Sequence, residues 1–228
     1  MAKGKLIVID GSDGSGKATQ TELLLKRLIK EGKKVKKIDF PRYKDNFFGG
    51  LLRQCLDGDY GDFIAIPPKI ASTLYAADRW ESSGQIKKWL DAGYSVIADR
   101  YASANQMHQG GKISDEKGRR EFLKWLDKME FEIFKIPRPD IVLYLNVPVV
   151  IGQKLLAVRS TASRGAKAKQ DLAEANVEHL ENSQKSAMAI VKKSNNWHKI
   201  DCSRGGEILP REVIHELIYK QLKKNKKI

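Results

Sequence analysis

The sequence contains little of several residue types, and each shortage excludes a class of protein. Only two cysteines occur among the 228 residues, Cys55 and Cys202, and they are too few and too far apart for a disulfide framework or a structural zinc site. No apolar run approaches the roughly 20 residues that a membrane-spanning helix requires. A strand pattern begins at Leu6, which leaves no room for a signal peptide. We therefore expect a cytoplasmic protein that has no membrane partner.

Acidic residues are also few: the sequence has 28 of them and 42 lysines and arginines, so the formal net charge is +14. Such an excess can indicate nucleic-acid binding, or it can suit anionic small substrates. The lysines concentrate in two runs, at 33–37 and 220–227, with no interleaved aromatic residues and no nucleic-acid-binding signature. We interpret these runs as solvated surface and expect no nucleic-acid partner. A nucleic-acid-binding protein remains the alternative that this charge leaves open.

The segment that carries the most information is Lys5–Thr21. The apolar run 6–9 predicts a strand buried on both faces, and a glycine-rich turn and a helical pattern follow it. Glycines let successive backbone N–H groups converge on one anion, the helix N-terminus adds positive potential, and Lys17 adds a full charge. The spacing matches G-x-x-x-x-G-K and predicts a nucleoside triphosphate site.

The position after this lysine departs from the motif. Serine or threonine usually follows the lysine, and its hydroxyl binds Mg²⁺, whereas this chain has Ala18. The hydroxyl of Thr19 is one residue further along the helix and so points about 100° away.

Apolar strand patterns alternate with helical patterns along the whole chain, without an internal repeat or a convincing linker. This alternation predicts one α/β domain, residues 1–228, in which helices cover both faces of a parallel sheet. The predicted strands are 6–9, 35–40, 94–99, 141–145 and 197–200. The predicted helices follow the glycine-rich turn and occupy 47–56, 68–92, 102–110, 115–135, 148–158, 172–193 and 210–223.

Charged residues follow the predicted strands, at the edge where open α/β sheets bind ligands. Asp99 is placed to orient Mg²⁺ or its water ligands, and Arg42 and Arg100 are placed to reach phosphoryl oxygens. A basic segment at 159–169 has no apolar periodicity, which predicts a mobile loop. Two interpretations fit its composition equally well. One is a solvated surface loop, and the other is a lid that brings positive charge to a transferred group.

Several motifs together resemble the thymidylate kinase family, in order and spacing along nearly the whole chain. The family fold is the three-layer P-loop NTPase fold, with a five-stranded parallel sheet flanked by helices and a basic lid. The segments that carry the resemblance are GSDGSGKATQ at 11–20, FPR at 40–42, LYAADRWE at 74–81, DRY at 99–101, NQMHQG at 105–110, PD at 139–140 and DLAE at 171–174.

The resemblance implies transfer of a phosphoryl group from ATP to dTMP, with Mg²⁺, giving ADP and dTDP. It places Asp13 near the sugar 3′-hydroxyl and the acceptor phosphate, which Arg42 and Arg100 would bind. Asp99 would be the protein's ligand for the metal. The ATP phosphates would lie against Gly11, Ser12, Gly14, Ser15, Gly16, Lys17, Ala18 and Thr19.

For the base, the resemblance implies stacking on Tyr75, a hydrogen bond from Arg79 to a base carbonyl, and recognition of the base edge by Gln106. The remaining substrate contacts that it implies are Phe40, Pro41, Asn105 and His108.

The implied catalytic residues are Lys17, Asp13, Asp99 and Arg100, with one arginine from the lid. One branch of the family has a catalytic arginine where this chain has Gly14, so the arginine is expected from a lid at about 159–171. Arg164 is the first choice and Arg159 the second. The resemblance also implies a homodimer formed through helices 47–56 and 68–92.

Two alternative functions depend on departures from the family pattern. His108 stands where a tyrosine often excludes a ribose 2′-hydroxyl, which leaves open a relaxed pyrimidine monophosphate kinase that accepts dUMP or UMP. Ala18 leaves open a nucleotide sensor whose transfer activity has decayed.

Overall fold

The computed structural model describes residues 3–163 and 176–228, with side chains described for 3–158 and 176–228. Five parallel strands form one sheet in the order β2-β3-β1-β4-β5, which confirms the predicted architecture. The strands are β1 (Leu6–Gly11), β2 (Val35–Asp39), β3 (Ser95–Asp99), β4 (Ile141–Asn146) and β5 (Trp197–Asp201).

Eight helices lie between and around these strands in the described ranges. They are α1 (Lys17–Lys30), α2 (Phe47–Asp57), α3 (Pro68–Asp91), α4 (Ala102–Ala104), α5 (Glu116–Asp127), α6 (Val149–Ser163), α7 (Val177–Lys193) and α8 (Arg211–Lys224). Among the described residues, no helix combines the length and the apolarity that crossing a bilayer would need.

Strand β1 is the centre of the sheet, and every one of its residues is buried. Ile7 pairs with Ile97 of β3 on one side and with Ile141 of β4 on the other. One face packs against α3 and α7, where Val8 and Val96 share a core with Ala187. The other face packs against α1 and α8. Helices cover both faces, which is why the strand is a continuous apolar run.

Two predicted helices change their winding part of the way along. Helix α4 continues as a π-helical segment, Asn105–Gln109, and α5 continues as a second one, Lys128–Ile133. A π-helix is wider than an α-helix, so it changes which side chains face a given side. Both segments contribute residues to the site described below.

The structure corrects the predicted loop at 159–169, because α6 extends to Ser163 and its residues 159–163 are helical. The remainder, 164–169, lies outside the described residues, as do the first four residues of the predicted helix 172–193. A short hairpin, β6 (Ser203–Arg204) and β7 (Glu207–Ile208), was not predicted. Gly205 and Gly206, both with positive φ, form its turn.

Candidate active site

A cavity of about 540 Å³ opens at the carboxyl edge of the sheet, beside the glycine-rich turn. Parallel strands end together at this edge, so side chains that follow them converge. Many of the predicted site residues line the cavity: Asp13, Gly14, Gly16, Lys17, Ala18, Thr19, Phe40, Pro41, Tyr75, Arg79, Asp99, Arg100, Asn105 and His108.

The glycine-rich turn folds over the side chain of Lys17, which is 8% exposed. The ammonium donates to the carbonyl oxygens of Gly11 at 3.1 Å and Ser12 at 2.9 Å. The hydroxyls of Ser12 and Ser15 are buried and have no hydrogen-bond partner within the described part of the chain. Because buried hydroxyls are usually satisfied, the turn contains unused donors beside a fixed cation. This arrangement fits the oxygens of a phosphate group.

The turn also packs closely against α6 at Gly14. A Cβ atom built on Gly14 would overlap the carbonyl group of Gly152, and the φ of Gly14 is +77°. Both features exclude a larger side chain in this arrangement. The expectation that the catalytic arginine comes from the lid stays a prediction.

Arg100 lies at the centre of the charged groups and has a left-handed backbone, with φ of 65°. Its guanidinium pairs with Asp13 and lies 3.7 Å from Asp10 Oδ1. Burial opposes ionisation of Asp13, but Arg100 and then Lys17 hold the pKa of Asp13 well below its usual value. A strained backbone that is held in place by ion pairs is typical of functional sites.

Sequence reasoning missed Asp10, which is fully buried at the end of β1. Its carboxylate accepts from the Gly11 backbone at 2.9 Å and from Ser103 Oγ at 2.5 Å. Burial raises the pKa of Asp10, and burial likewise raises the pKa of Asp99 against the effect of Lys17. An acidic residue that directly follows an apolar run was the signal that could have identified Asp10.

A hydrogen-bonded chain runs from Arg100 to α7 through His108. Arginine can only donate, so its Nη1, at 3.1 Å, makes His108 Nε2 an acceptor. His108 Nδ1 therefore carries the proton and donates to Ser183 Oγ at 3.2 Å, and Ser183 donates to the carbonyl of His179. Burial, and then Arg100, lower the pKa of His108, which keeps the ring neutral. Ser183 and His179 carried no motif that the sequence analysis could use.

Two residues of the cavity wall, Arg79 and Asn105, contact a buried carboxylate that the sequence analysis also missed. Glu130, in the second π-helical segment, forms an ion pair with Arg79 and accepts from Asn105 Nδ2 at 2.9 Å. Tyr75 lies beside them, with its ring 5.9 Å from that of Phe63. A glutamate inside an apolar helical pattern was an available signal, since glutamate is rarely buried without a partner.

Several predicted residues are not among those that line the cavity. The guanidinium of Arg42 pairs with Asp45 at 2.9 Å. Gln106 does not line the cavity, and its carbonyl accepts from Ser186 on α7. Gly11, Ser12 and Ser15 are not among the lining residues. The side chain of Arg159 and all of Arg164 lie outside the described residues, so the predicted lid arginine stays a prediction.

Comparisons with known proteins agree with this geometry. The family model for thymidylate kinase matches residues 9–213. The chain is 28% identical to the thymidylate kinase of Plasmodium falciparum over 94% of this chain and 90% of that one. It is 27% identical to the thymidylate kinase of Homo sapiens over 92% and 88% of the two chains. A solved structure of thymidylate kinase from Candida albicans shares the fold, with a TM-score of 0.73 and 23% identity over 100% of this chain and 94% of the other.

Proposed function

The chain belongs to the thymidylate kinase family, and on that premise we propose that it transfers the γ-phosphoryl group of ATP to dTMP, giving ADP and dTDP. The observation that carries this proposal is one cavity lined both by the glycine-rich turn and by a buried donor and acceptor pair, Arg79 and Asn105. A nucleoside monophosphate presents a phosphate and a base edge at its two ends, which matches that arrangement.

Phosphoryl transfer demands positioning and charge neutralisation more than covalent participation by the protein. In our proposal Lys17 neutralises the transferred group, and the turn's N–H groups bind the ATP phosphates. Arg100, fixed by Asp13 and His108, binds the acceptor phosphate. Arg42 would bind the same phosphate only after its ion pair with Asp45 is broken. A lid at about 159–171, with Arg164 or Arg159, would supply the remaining positive charge.

The residues present also fit Mg²⁺. No group of three or more acidic, histidine or cysteine side chains in the described ranges could hold a metal alone. Mg²⁺ usually keeps several waters and binds through one or two carboxylates together with substrate phosphates, and Asp99 in the cavity wall supplies such a carboxylate. When bound, the ion neutralises charge on the ATP phosphates. We therefore propose ATP and Mg²⁺ as cofactors.

Replacing Ala18 with threonine is expected to lower the Mg²⁺ concentration that gives half-maximal activity by several-fold, because it adds the hydroxyl ligand that the motif usually provides. The measurement is kcat against free Mg²⁺ at saturating ATP. Ala18→Val is the matched control, because valine has the shape of threonine without the hydroxyl. An unchanged Mg²⁺ dependence in Ala18→Thr would contradict the proposal that the metal is held without a ligand at this position.

The function itself is tested by ADP production from ATP and Mg²⁺, with dTMP, dUMP, UMP, dCMP and dGMP assayed in parallel. We expect dTMP to exceed the other acceptors by a wide margin. Comparable rates with dTMP and UMP would instead identify a relaxed kinase, and would indicate that His108 does not exclude the ribose 2′-hydroxyl. Binding of ATP and dTMP without turnover would identify a sensor.

We also propose that residues 1–228 act as one kinase domain and that two copies associate through α2 and α3. Large apolar side chains support this interface, since Phe47 is 77% exposed, Ile70 57% and Trp80 51%. Sedimentation velocity should then give twice the chain mass of 25.7 kDa.

Cys55 and Cys202 are free and buried, which suits a reducing compartment such as the cytoplasm.

A further inference from the structure

The amino edge of the sheet lies opposite the cavity and brings together segments that are far apart in the sequence. The backbone N–H of Ser95 donates to the carbonyl oxygen of Lys34 at 2.9 Å. The ammonium groups of Lys5 and Lys227 both pair with Asp140, at 3.1 and 3.9 Å. The six segments that form this amino edge are 3–5, 30–36, 87–94, 138–140, 192–196 and 223–227.

The amino edge carries most of the net charge of the chain. Its six segments contain 15 lysines and arginines and three acidic residues, which gives +12 of the chain's +14. Ten of these lysines are exposed, and none of the ten pairs with a carboxylate in the part of the chain that the structure describes. They are Lys30, Lys33, Lys34, Lys36, Lys87, Lys88, Lys192, Lys223, Lys224 and Lys226.

The ends of helices account for only half of the ten lysines. A cation in the last turn of a helix interacts favourably with the helix dipole, and five of the ten have that position. The others do not, since Lys33 and Lys34 precede β2, Lys36 lies in β2, Lys87 lies earlier in α3 and Lys226 follows α8. Like charges at this density repel one another and destabilise the fold. A bound polyanion would offset that repulsion.

The side chains of the amino edge favour one kind of polyanion over others. The exposed large apolar side chains of the described residues all lie outside its six segments, and the nearest in sequence is Ile29. A basic patch without a second, apolar anchor does not hold a protein stably on a membrane. The Tyr94 ring is partly buried, with the ammonium groups of Lys34 and Lys36 over it at 5.9 and 5.3 Å. The edge therefore lacks a free aromatic ring on which an unpaired base could stack.

We propose that the amino edge is a docking surface for a nucleic-acid duplex, bound through its phosphates without regard to base sequence. Neighbouring strands are about 4.8 Å apart, so five strands span about 19 Å. A duplex carries one negative charge per about 1.7 Å of its axis, which gives about 11 phosphates over that distance. Ten lysines without carboxylate partners match this charge density.

This inference goes beyond the proposed function and does not depend on it, because the cavity opens at the other edge of the sheet. The sequence analysis interpreted the lysine runs 33–37 and 220–227 as solvated surface. The fold brings most of each run to the same edge, which their separation in the sequence does not indicate.

Fluorescence anisotropy of a labelled DNA duplex of about 24 base pairs, titrated with the full-length protein, tests this inference. We expect a Kd of about 10⁻⁷ M or lower near 50 mM salt. Affinity should fall by about 10³-fold or more by about 200 mM salt, as it does for proteins that neutralise six or more phosphates. Two duplexes of unrelated sequence should bind equally.

The location of the site is tested by replacing Lys33, Lys34 and Lys224 together with glutamine. Loss of three phosphate contacts should raise the Kd by about 30-fold or more near 50 mM salt. It should also reduce the slope of log Kd against log salt by about three, since each lysine that contacts a phosphate contributes about one.

The matched control replaces Lys117, Lys124 and Lys185 with glutamine. These lysines are exposed and lie outside the six segments, so the control has the same net charge as the first variant and an intact amino edge. It should bind the duplex within about threefold of the wild-type Kd, with an unchanged slope. Both variants should keep the wild-type rate of ADP production from ATP and dTMP, which also checks that they fold.

Three results would overturn the inference. Equal weakening in the two variants would mean that binding follows net charge and not the amino edge. Displacement of the duplex by ATP and dTMP would place it in the cavity. Tighter binding of poly-glutamate, of phosphatidylserine vesicles or of a single strand of equal length would assign the edge to a different partner. A protein that binds the duplex as expected but does not phosphorylate dTMP would overturn only the proposed function.

Discussion

Replacing Lys17 with methionine is expected to lower kcat for dTMP phosphorylation by about 10³-fold or more, the scale at which loss of a preorganised charge acts on a transferring phosphoryl group. The ammonium is buried and held over the turn by two carbonyl oxygens. Methionine has a similar length and is flexible, so it fills the space while removing the charge. The measurement is steady-state ADP production at saturating ATP and dTMP.

The control for this variant is Lys30→Met, which removes an exposed lysine from the last turn of the same helix. It should leave kcat within about twofold of the wild-type value, since exposed charges far from the site are screened. Thermal unfolding checks that both variants fold. If Lys17→Met kept a tenth of the wild-type kcat, the assignment of the turn as the ATP phosphate site would be wrong.

The second large effect concerns stability and the buried ion pair of Arg79 with Glu130. Changing Glu130 alone to leucine should lower the free energy of unfolding by about 3–5 kcal/mol, because the guanidinium is left buried without its counter-charge. Arg79→Leu should cost a similar amount. The double variant should cost far less than the sum, since burying two apolar groups is often neutral. Urea unfolding of the four proteins measures the cycle.

An exposed ion pair provides the comparison. Arg138 makes two hydrogen bonds to Asp127, at 2.6 and 2.7 Å, but the two side chains are 56% and 42% exposed. Removing either partner should cost about 0–1 kcal/mol. If Glu130→Leu lowered the free energy of unfolding no more than the Arg138 and Asp127 variants do, the Arg79–Glu130 ion pair would have to be accessible to water.

The sheet and the glycine-rich turn were predictable because both are encoded locally. A parallel strand covered on two faces must be an apolar run, and β1, β3 and β4 each are. The turn needs glycines and a lysine at fixed spacing, and its strand and helix lie directly on either side. Neither inference requires knowledge of which distant segments meet.

The parts of the site that were missed depend on contacts between distant segments. Glu130 contacts Arg79, which is 51 residues away, and Asp10 accepts from Ser103 across 93 residues. Periodicity does not reveal which buried carboxylate meets which cation. The hairpin β6–β7 was missed because its strands have two residues each, too few for an alternating pattern.

In the π-helical segment after α4, Asn105, His108 and Gln109 line the cavity and Gln106 does not. Motif spacing alone assumed an α-helix over 102–110. Whether Gln106 contacts the base remains the prediction that the resemblance made.

The central place of β1 in the sheet has a consequence for how the protein is made. This strand leaves the ribosome before the other strands of the sheet, yet its two partners, β3 and β4, come from later segments of the chain. Its apolar residues must wait for Ile141 to be synthesised, and parallel pairing across such separations is slow and exposes the chain to aggregation. The glycine-rich turn is thus translated early and assembled late. A nascent chain that ends before β4 should not bind nucleotide.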